Sequence, residues 1–464
     1  MKRRAFLSSL AGAGLSLAAS RKRIVIAGAG LAGLCAAYEL RRLGHEVVIV
    51  EAQLRPGGRV LTLREGLTPG IHAEAGATRI PTSHDLTLRY IREFKLPLEP
   101  FQYPGLADVY HVRGENFAMK PGTRHRWPLT LSPEEQALGP EGLYKRYVQP
   151  IIDEGLAGAS PHEVPKAVFK GDRVTIKQYL RGKGLSADAV ELTTLGFDPE
   201  LGSAAWGFLD EINHAAPPPL RRIRGGNDLL PRAFATALRP VIRYGRPAAA
   251  FGQSENEAWV VLNHGGQQET LRADHVVCTL PFSVCRKMFA EARLSEKKLF
   301  TIESQPYAST TKVFLQMTSQ YWRKQGLSGF ANTDLLSARF WALGQPDANA
   351  PGLLKCYNIG PKADRLDTMN DAQRQRAVLE DAERVFPGAK PHYEGGVSKS
   401  WMNDPFQRGA FAQYNPGQMG NIAINRAREG RIHFAGEHTS RYNGWMQGAL
   451  ESALRVVSEI RESS

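Results

Sequence analysis

The sequence predicts an α/β protein in three parts: a discontinuous, doubly wound parallel-sheet domain, a second domain with a mixed sheet, and a helical insertion. Three observations carry that prediction. Residues 23–51 run strand, glycine-rich turn, helix, strand within about 30 residues, the length of one parallel βαβ unit. RIHFAGE (431–437) and GWMQGALESALRVVSEI (444–460) repeat the strand-then-helix pattern at the far end, so both ends of the chain belong to one sheet. Between them, Leu131 to Ala215 turns helical and amphipathic.

Each element follows from its residues. RIVIA (23–27) is an apolar run of the kind buried on both faces of a parallel sheet. LCAAYELRRL is the first helix, stopped at Gly44, and HEVVIVE is a strand ending in an acid. The helical insertion breaks at Pro150, Pro161-His162, Gly182-Lys183-Gly184 and Pro199, and the PPP run at 217–219 closes it. WVVLN (259–263), DHVVCTLP (274–281), KVFLQM (312–317) and LLKCYNI (353–359) read as strands, and NDAQRQRAVLEDAERVF (370–386) as a surface helix. The expected boundaries are 21–80, 221–290 and 421–464 for the discontinuous domain. The second domain takes 81–130 and 291–420, and the helical insertion 131–220.

The chain has 464 residues, 42% of them hydrophobic, and 45 glycines. That composition can bury a sizeable core and excludes a disordered chain, a collagen-like repeat and a multi-span membrane protein. Four cysteines exclude a disulfide scaffold. The formal charge is +13, but the basic residues are scattered, so the expectation is a solvated cationic surface and no nucleic acid. Residues 1–20 have a basic start, a weakly apolar run from Ala5 to Ala19 and small residues at the end, the layout of an export signal. The run is too short to span a bilayer, so no stable membrane insertion is expected. Arg3-Arg4 with Phe6-Leu7 resembles the twin-arginine pattern, a route that carries folded proteins to the periplasm or the medium.

Gly28-x-Gly30-x-x-Gly33 stands between a strand and a helix. Gly28 permits the tight turn, Gly30 lets backbone approach a pyrophosphate, and Gly33 lets the helix pack close to the sheet, with Ala29 and Ala32 in the same turn. The helix N-terminus offers free N–H groups and partial positive charge to the phosphates. Glu51, followed by Ala52, ends the second strand, where an acid accepts hydrogen bonds from ribose hydroxyls. Taken alone, the motif suits NAD and FAD equally.

EAQLRPGGRV (51–60) resembles the signature of the flavin amine oxidase family, in which the acid is followed by a GGR turn. FAGEHTS (434–440) with GWMQGALESALR (444–455) resembles that family's C-terminal flavin motif. The resemblance runs over nearly the whole chain. It implies a Rossmann-like FAD-binding domain of the glutathione-reductase type, and noncovalent FAD, because no cysteine occupies the family's attachment position. By the resemblance, Gly57, Gly58 and Arg59 line the pyrophosphate, and Gly436 and Glu437 meet the ribityl or pyrophosphate region. The helix starting near Trp445-Met446 points its positive end at the flavin edge that gains negative charge on reduction. Gln53 departs from the Arg that many members carry.

Within the family the chain most resembles the L-amino-acid oxidases. AGATRIP (75–81) resembles their GxMRxP segment, whose Arg, here Arg79, grips the substrate carboxylate while Gly76, Ala77 and Thr78 pass the flavin. Thr78 replaces the usual Met. A guanidinium holds a carboxylate through two parallel N–H···O bonds, and a plain amine needs no such residue. STTKVFLQ (309–316) resembles the strand whose lysine, here Lys312, holds a water near flavin N5 and assists reoxidation by O2. In PGLLKCYNIG (351–360), Tyr357 takes the place of the tyrosine that meets the carboxylate. Gly444 and Trp445 resemble the Gly–aromatic pair at the flavin face, with the Gly444 carbonyl accepting from the amine and Trp445 walling the pocket. KSWMNDPFQRGAF (399–411) also matches, with Trp401 in a structural role. His214 stands where it can approach the pocket mouth, as a histidine of the helical region does in related enzymes, but its spacing does not match, so it reads as a bystander. His433 and His438 lack metal-ligand spacing, so no metal is expected. Cys35, Cys278 and Cys356 read as buried small apolar residues.

The resemblance implies oxidation of an L-amino acid to its imino acid by hydride transfer to flavin N5. Hydrolysis then gives a 2-oxo acid and ammonia, and O2 is reduced to H2O2. The nitrogen lone pair drives the transfer, so positioning supplies much of the acceleration. A pocket walled by Trp445 and Tyr357 points to hydrophobic or aromatic substrates. Three readings stay open beside this one: an oxidase of primary amines or polyamines, an oxidative decarboxylase giving an amide, and a non-enzymatic FAD-fold binding protein. The expected partners are a small-molecule substrate and O2. A homodimer is permitted and not specified.

Overall fold

Alternation along the first strand sets the architecture. In the computed structural model, which describes residues 21–101, 105–120, 122–158, 160, 162–215, 220–343 and 347–463, Arg23–Ala27 pairs in parallel with Glu46–Val50 and with His275–Cys278. Ile24 and Ile26 point to one face, Val25 and Ala27 to the other, as the two-residue period requires. The complete sheet is five-stranded and parallel, in the order Ile432–Phe434, His275–Cys278, Arg23–Ala27, Glu46–Val50, Ile242–Arg243. Helices Leu31–Arg42 and Met446–Glu462 cover the Ile24 face and pack on each other. The antiparallel meander Ala248–Gln253, Ala258–His264, Gln267–Ala273 covers the Val25 face with Phe251, Val260 and Leu262. The export-signal reading on residues 1–20 and the PPP run at 217–219 lie outside the described residues.

A second sheet has seven strands, in the order Tyr393–Ser400, Thr310–Met317, Gly352–Ile359, Arg339–Leu343, Leu327–Thr333, Ala107–Val112, Glu115–Met119. It is mixed: Leu327–Thr333 and Ala107–Val112 run parallel, and the other neighbours antiparallel. Val313, Leu315, Phe340, Leu354 and Cys356 point to the face covered by helix Asp371–Val385, which starts with a capping box of Asn370 and Gln373. The interleaved residues Lys312, Trp341 and Tyr357 point the other way, toward the parallel-sheet domain.

The helical insertion comprises Pro133–Tyr147, Gln149–Ala157, Ile176–Gly182, Ala187–Thr193 and Ala204–His214, with a 3-10 turn at Lys166–Gly171. Leu143, Ile152, Val168, Leu180, Phe208 and Ile212 are buried and share one apolar core with the meander side of the parallel sheet. The last helix, Ala204–His214, turns its Trp206, Asp210, Glu211 and His214 into the space between the sheets. The four cysteines are free and buried. No helix of the described residues is long and apolar enough to cross a membrane.

Candidate active site

A cavity of about 690 Å3 lies where the two sheets and the helical insertion meet. Its cofactor end is built from backbone. The chain turns sharply after Arg23–Ala27, with Gly28 at φ +106° and its N–H donating to Val50 O at 2.8 Å. The helix that follows has Gly30 as its N-cap, no capping side chain and no acid in its first turn, so its N–H groups face the cavity unsatisfied. A Cβ on Gly30 would meet nothing within 4 Å, which leaves room for a phosphate. Glu51 is buried; one oxygen accepts from Ala29 N at 2.7 Å and the other from Gln53 N at 2.8 Å, and burial raises its pKa. These features fit an adenine dinucleotide: an open anion cradle beside a buried carboxylate that can accept from a ribose.

The second end of the groove is held by an ion pair. Arg59 Nη1 lies 2.6 Å from Glu437 Oε1 and also donates to Ala410 O at 3.1 Å. Gly57, Gly58, Ala77, Thr78, Gly436 and Met446 line the same groove, as do Ala32, Ala52 and Gly76. Helix Met446–Glu462 starts there with Trp445 as N-cap and no capping side chain. Of the residues assigned to the cofactor, Ala29 and Gly33 do not reach the cavity wall. Ala29 holds Glu51, and a Cβ on Gly33 would collide with the Gly28 carbonyl oxygen, so Gly33 sets how close helix and strand approach. Gly33→Val is therefore expected to yield protein without bound flavin, checked by the absorbance ratio of purified protein at about 450 nm, a property of the cofactor itself.

At the substrate end, Arg79 opens into the cavity. Its guanidinium lies 4.9 Å from the Trp341 ring centroid and 5.4 Å from that of Trp445, and it makes no hydrogen bond or ion pair among the described residues. Tyr357 packs on Trp341 at 5.0 Å, and burial raises its pKa, so the hydroxyl is a donor at neutral pH. The Trp445 indole N–H donates to Asp210 Oδ1 at 2.8 Å, and its ring meets His84 at 5.0 Å and His214 at 5.9 Å. Gly444 has φ +79° and donates its N–H to Glu437 Oε2 at 2.9 Å. Trp401 is buried and donates to Ala75 O at 2.8 Å.

Lys312 lies on the cavity wall, but its Nζ is occupied by protein. It contacts Gly76 O at 2.5 Å, Thr78 Oγ1 at 3.0 Å and Glu74 O at 3.2 Å. An ammonium has three N–H groups, so it reaches a water only by giving one of these up. Burial lowers the lysine pKa to about 7, with nearby Glu74 raising it and Arg79 lowering it. Burial likewise raises Glu74 to about 7. Thr78, which departs from the usual Met, thus serves as a ligand of Lys312.

His214, read from the sequence as a bystander able to approach the pocket mouth, lines the cavity and packs beside Trp445. The helix Ala204–His214 carries it there because residues 206, 210 and 214 share one face at four-residue spacing. Trp206, Asp210, Glu211, Arg339, Trp341 and Phe411 also line the cavity and were not anticipated. Their one available signal was the alternation of strand and helix faces, which cannot name a cavity.

The fold and the groove together define a Rossmann-type dinucleotide-binding protein. The family described as flavin-containing amine oxidoreductase matches residues 31–461. The flavin-dependent L-tryptophan oxidase RebO of Lentzea aerocolonigenes is 32% identical over 95% of this chain and 98% of its own. The L-amino-acid oxidase BmooLAAO-I of Bothrops moojeni is 28% identical over 97% of this chain and 91% of its own. The solved structure of cyclohexylamine oxidase from Brevibacterium oxydans IH-35A has a TM-score of 0.80 and 23% identity over 96% of this chain and 99% of that one, a likeness of fold. The chain belongs to the flavin-containing amine oxidoreductase family, and its cofactor is FAD.

Proposed function

We propose that the protein oxidises L-α-amino acids: RCH(NH2)COOH + O2 + H2O gives RCOCOOH + NH3 + H2O2. The observation that carries this reading is Arg79, a guanidinium with no hydrogen-bond or ionic partner among the described residues, set between two indoles on the cavity wall. A cation left without an anion in such a wall is costly, and a substrate carboxylate supplies the missing partner.

The residues then divide the work. Arg79 binds the carboxylate, and the Tyr357 hydroxyl donates to the same group. The Gly444 carbonyl accepts from the neutral amine, and Trp445, held by Asp210, walls that side. Trp206, Trp341 and Phe411 exclude water around the Cα–H. FAD, when bound, supplies the acceptor for the hydrogen and its electron pair. The nitrogen lone pair forms the C=N bond, so no protein base is required, and fixed placement supplies the acceleration. Water then hydrolyses the released imino acid.

The test is a peroxide assay over the twenty L-amino acids and matched amines. L-Amino acids are expected to exceed the matching amines, such as L-phenylalanine over phenylethylamine, by about 100-fold in kcat/KM. Turnover confined to amines overturns the reading in favour of an amine oxidase, and CO2 release in favour of a decarboxylase. No flavin bleaching with any anaerobic substrate leaves a binding protein.

A further inference from the structure

Two guanidinium groups open onto the substrate end, and the proposed chemistry uses one. Arg339 sits on strand Arg339–Leu343, two residues before Trp341 and on the same face. Its Nε donates to Gly196 O at 2.7 Å. Its two terminal nitrogens make no hydrogen bond and no ion pair among the described residues, although the side chain lines the cavity. The guanidinium lies 5.3 Å from the Phe197 ring centroid and 5.9 Å from that of Tyr357. Burial lowers its pKa, with Tyr357 raising it and Arg79 lowering it.

The acids of the same cavity are placed differently. Asp210 and Glu211 are solvent-open and already engaged: Asp210 accepts from Trp445 Nε1, and Glu211 accepts from the Tyr144 hydroxyl at 2.9 Å. Both also lie beside His214, at 3.8 and 3.5 Å. Thus two guanidinium groups on the cavity wall at this end, Arg79 and Arg339, lack an anionic partner among the described residues. A further cation without a hydrogen-bond partner, Lys355, is buried against the same Trp341–Tyr357 pair, 3.9 Å from the Trp341 ring centroid, and does not line the cavity. A planar fork with open N–H groups in an aromatic wall fits a carboxylate. One α-carboxylate satisfies Arg79; the second arginine calls for a second anion.

Resting on the amino-acid reading above, we infer that Arg339 binds the side-chain carboxylate of an acidic L-amino acid, L-glutamate or L-aspartate, while Arg79 holds the α-carboxylate. This departs from the hydrophobic preference expected from Trp445 and Tyr357. The aromatic wall remains, and it lowers the local dielectric around the pair.

The holoenzyme tests this with L-glutamate, L-aspartate, L-glutamine, L-phenylalanine and L-lysine, alongside binding of the unreactive acids glutarate and butyrate, read from the flavin spectrum. Expected are a kcat/KM for an acidic substrate about 100-fold above that for L-glutamine, and glutarate bound at least about tenfold more tightly than butyrate. Arg339→Met should remove both preferences, through KM, and leave L-glutamine and L-phenylalanine within about threefold; Arg339→Lys should restore part. If Arg339→Met does not fold, the native panel and the glutarate–butyrate comparison decide alone. Equal turnover of L-glutamate and L-glutamine overturns the inference. So does a preference for L-lysine, which would assign the side chain to Asp210 and Glu211. So does a uniform loss over all amino acids in Arg339→Met, which would make Arg339 a second α-carboxylate ligand. In those three cases the amino-acid oxidase reading survives; oxidation of amines alone overturns both.

Discussion

Arg79→Met is expected to raise KM for every oxidised L-amino acid by about 100-fold while FAD stays bound. A fork of two charge-assisted hydrogen bonds to a carboxylate is worth about 3 kcal/mol, and each 1.4 kcal/mol is about tenfold. The backbone at this point is fixed without the side chain: Ile80 N donates to Arg221 O at 2.7 Å, and Arg221 N to Ile80 O at 2.9 Å. Ile80 itself is fully buried. Methionine fills the slot between Trp341 and Trp445 without supplying a donor, so the cavity keeps its shape and loses its anion partner. Arg79→Lys should recover about tenfold of the loss, because a point charge cannot fork. Amines without a carboxylate should show unchanged KM in both variants. Steady-state peroxide kinetics with the flavin spectrum as control make the measurement, and an unaltered KM for amino acids in Arg79→Met removes the carboxylate assignment.

Much of the cofactor groove was legible because it is made of backbone. Gly28, by its positive φ, and Gly33, by its contact with the Gly28 carbonyl, must be glycine for reasons local to one turn, while Gly30 leaves open space for a phosphate, and a local pattern is visible in the sequence. The strands RIVIA and HEVVIVE were legible for a similar reason: burial on both faces leaves a continuous apolar run. The substrate end was harder to read because its contacts join distant segments. Arg339 is tied to Gly196, 143 residues earlier, and Trp445 to Asp210, 235 residues earlier. No local motif marks ARFWAL, whose alternation shows two faces and not which one meets a cavity. Thr78 read as a departure from a pattern. Only the fold shows that its hydroxyl meets Lys312, 234 residues later, and that substitution at 78 and the lysine's hydrogen bonding belong together. Arg59 and Glu437 were each assigned to the cofactor separately, and their mutual ion pair spans 378 residues.

That pair marks the residue whose loss should act before any substrate binds. The Glu437 carboxylate accepts from Arg59 Nη1 and Asn443 Nδ2, each at 2.6 Å, from Gly444 N at 2.9 Å and from Ala412 N at 3.2 Å. It therefore joins the GGR turn to the loop that leads into helix Met446–Glu462, and so aligns the two halves of the cofactor groove. Glu437→Ala leaves the Arg59 cation facing a partner that is gone, and removing one member of a buried, hydrogen-bonded pair costs about 3–5 kcal/mol. The bond from Arg59 to Ala410 O remains and holds the loss toward the lower figure. Glu437→Gln keeps the shape and one acceptor but not the charge, and should fall between the two. The expected result is Glu437→Ala protein purified largely without flavin and with a lowered thermal midpoint, and Glu437→Gln with partial flavin occupancy. Added FAD should raise the midpoint of both, because a ligand bound to the folded state alone stabilises it by mass action. Full flavin occupancy and an unchanged midpoint in Glu437→Ala would mean that Arg59 and the Gly444 loop are held by something other than this carboxylate. The two substitutions thus separate in their readout: position 437 acts on flavin content, and position 79 on KM at full flavin content.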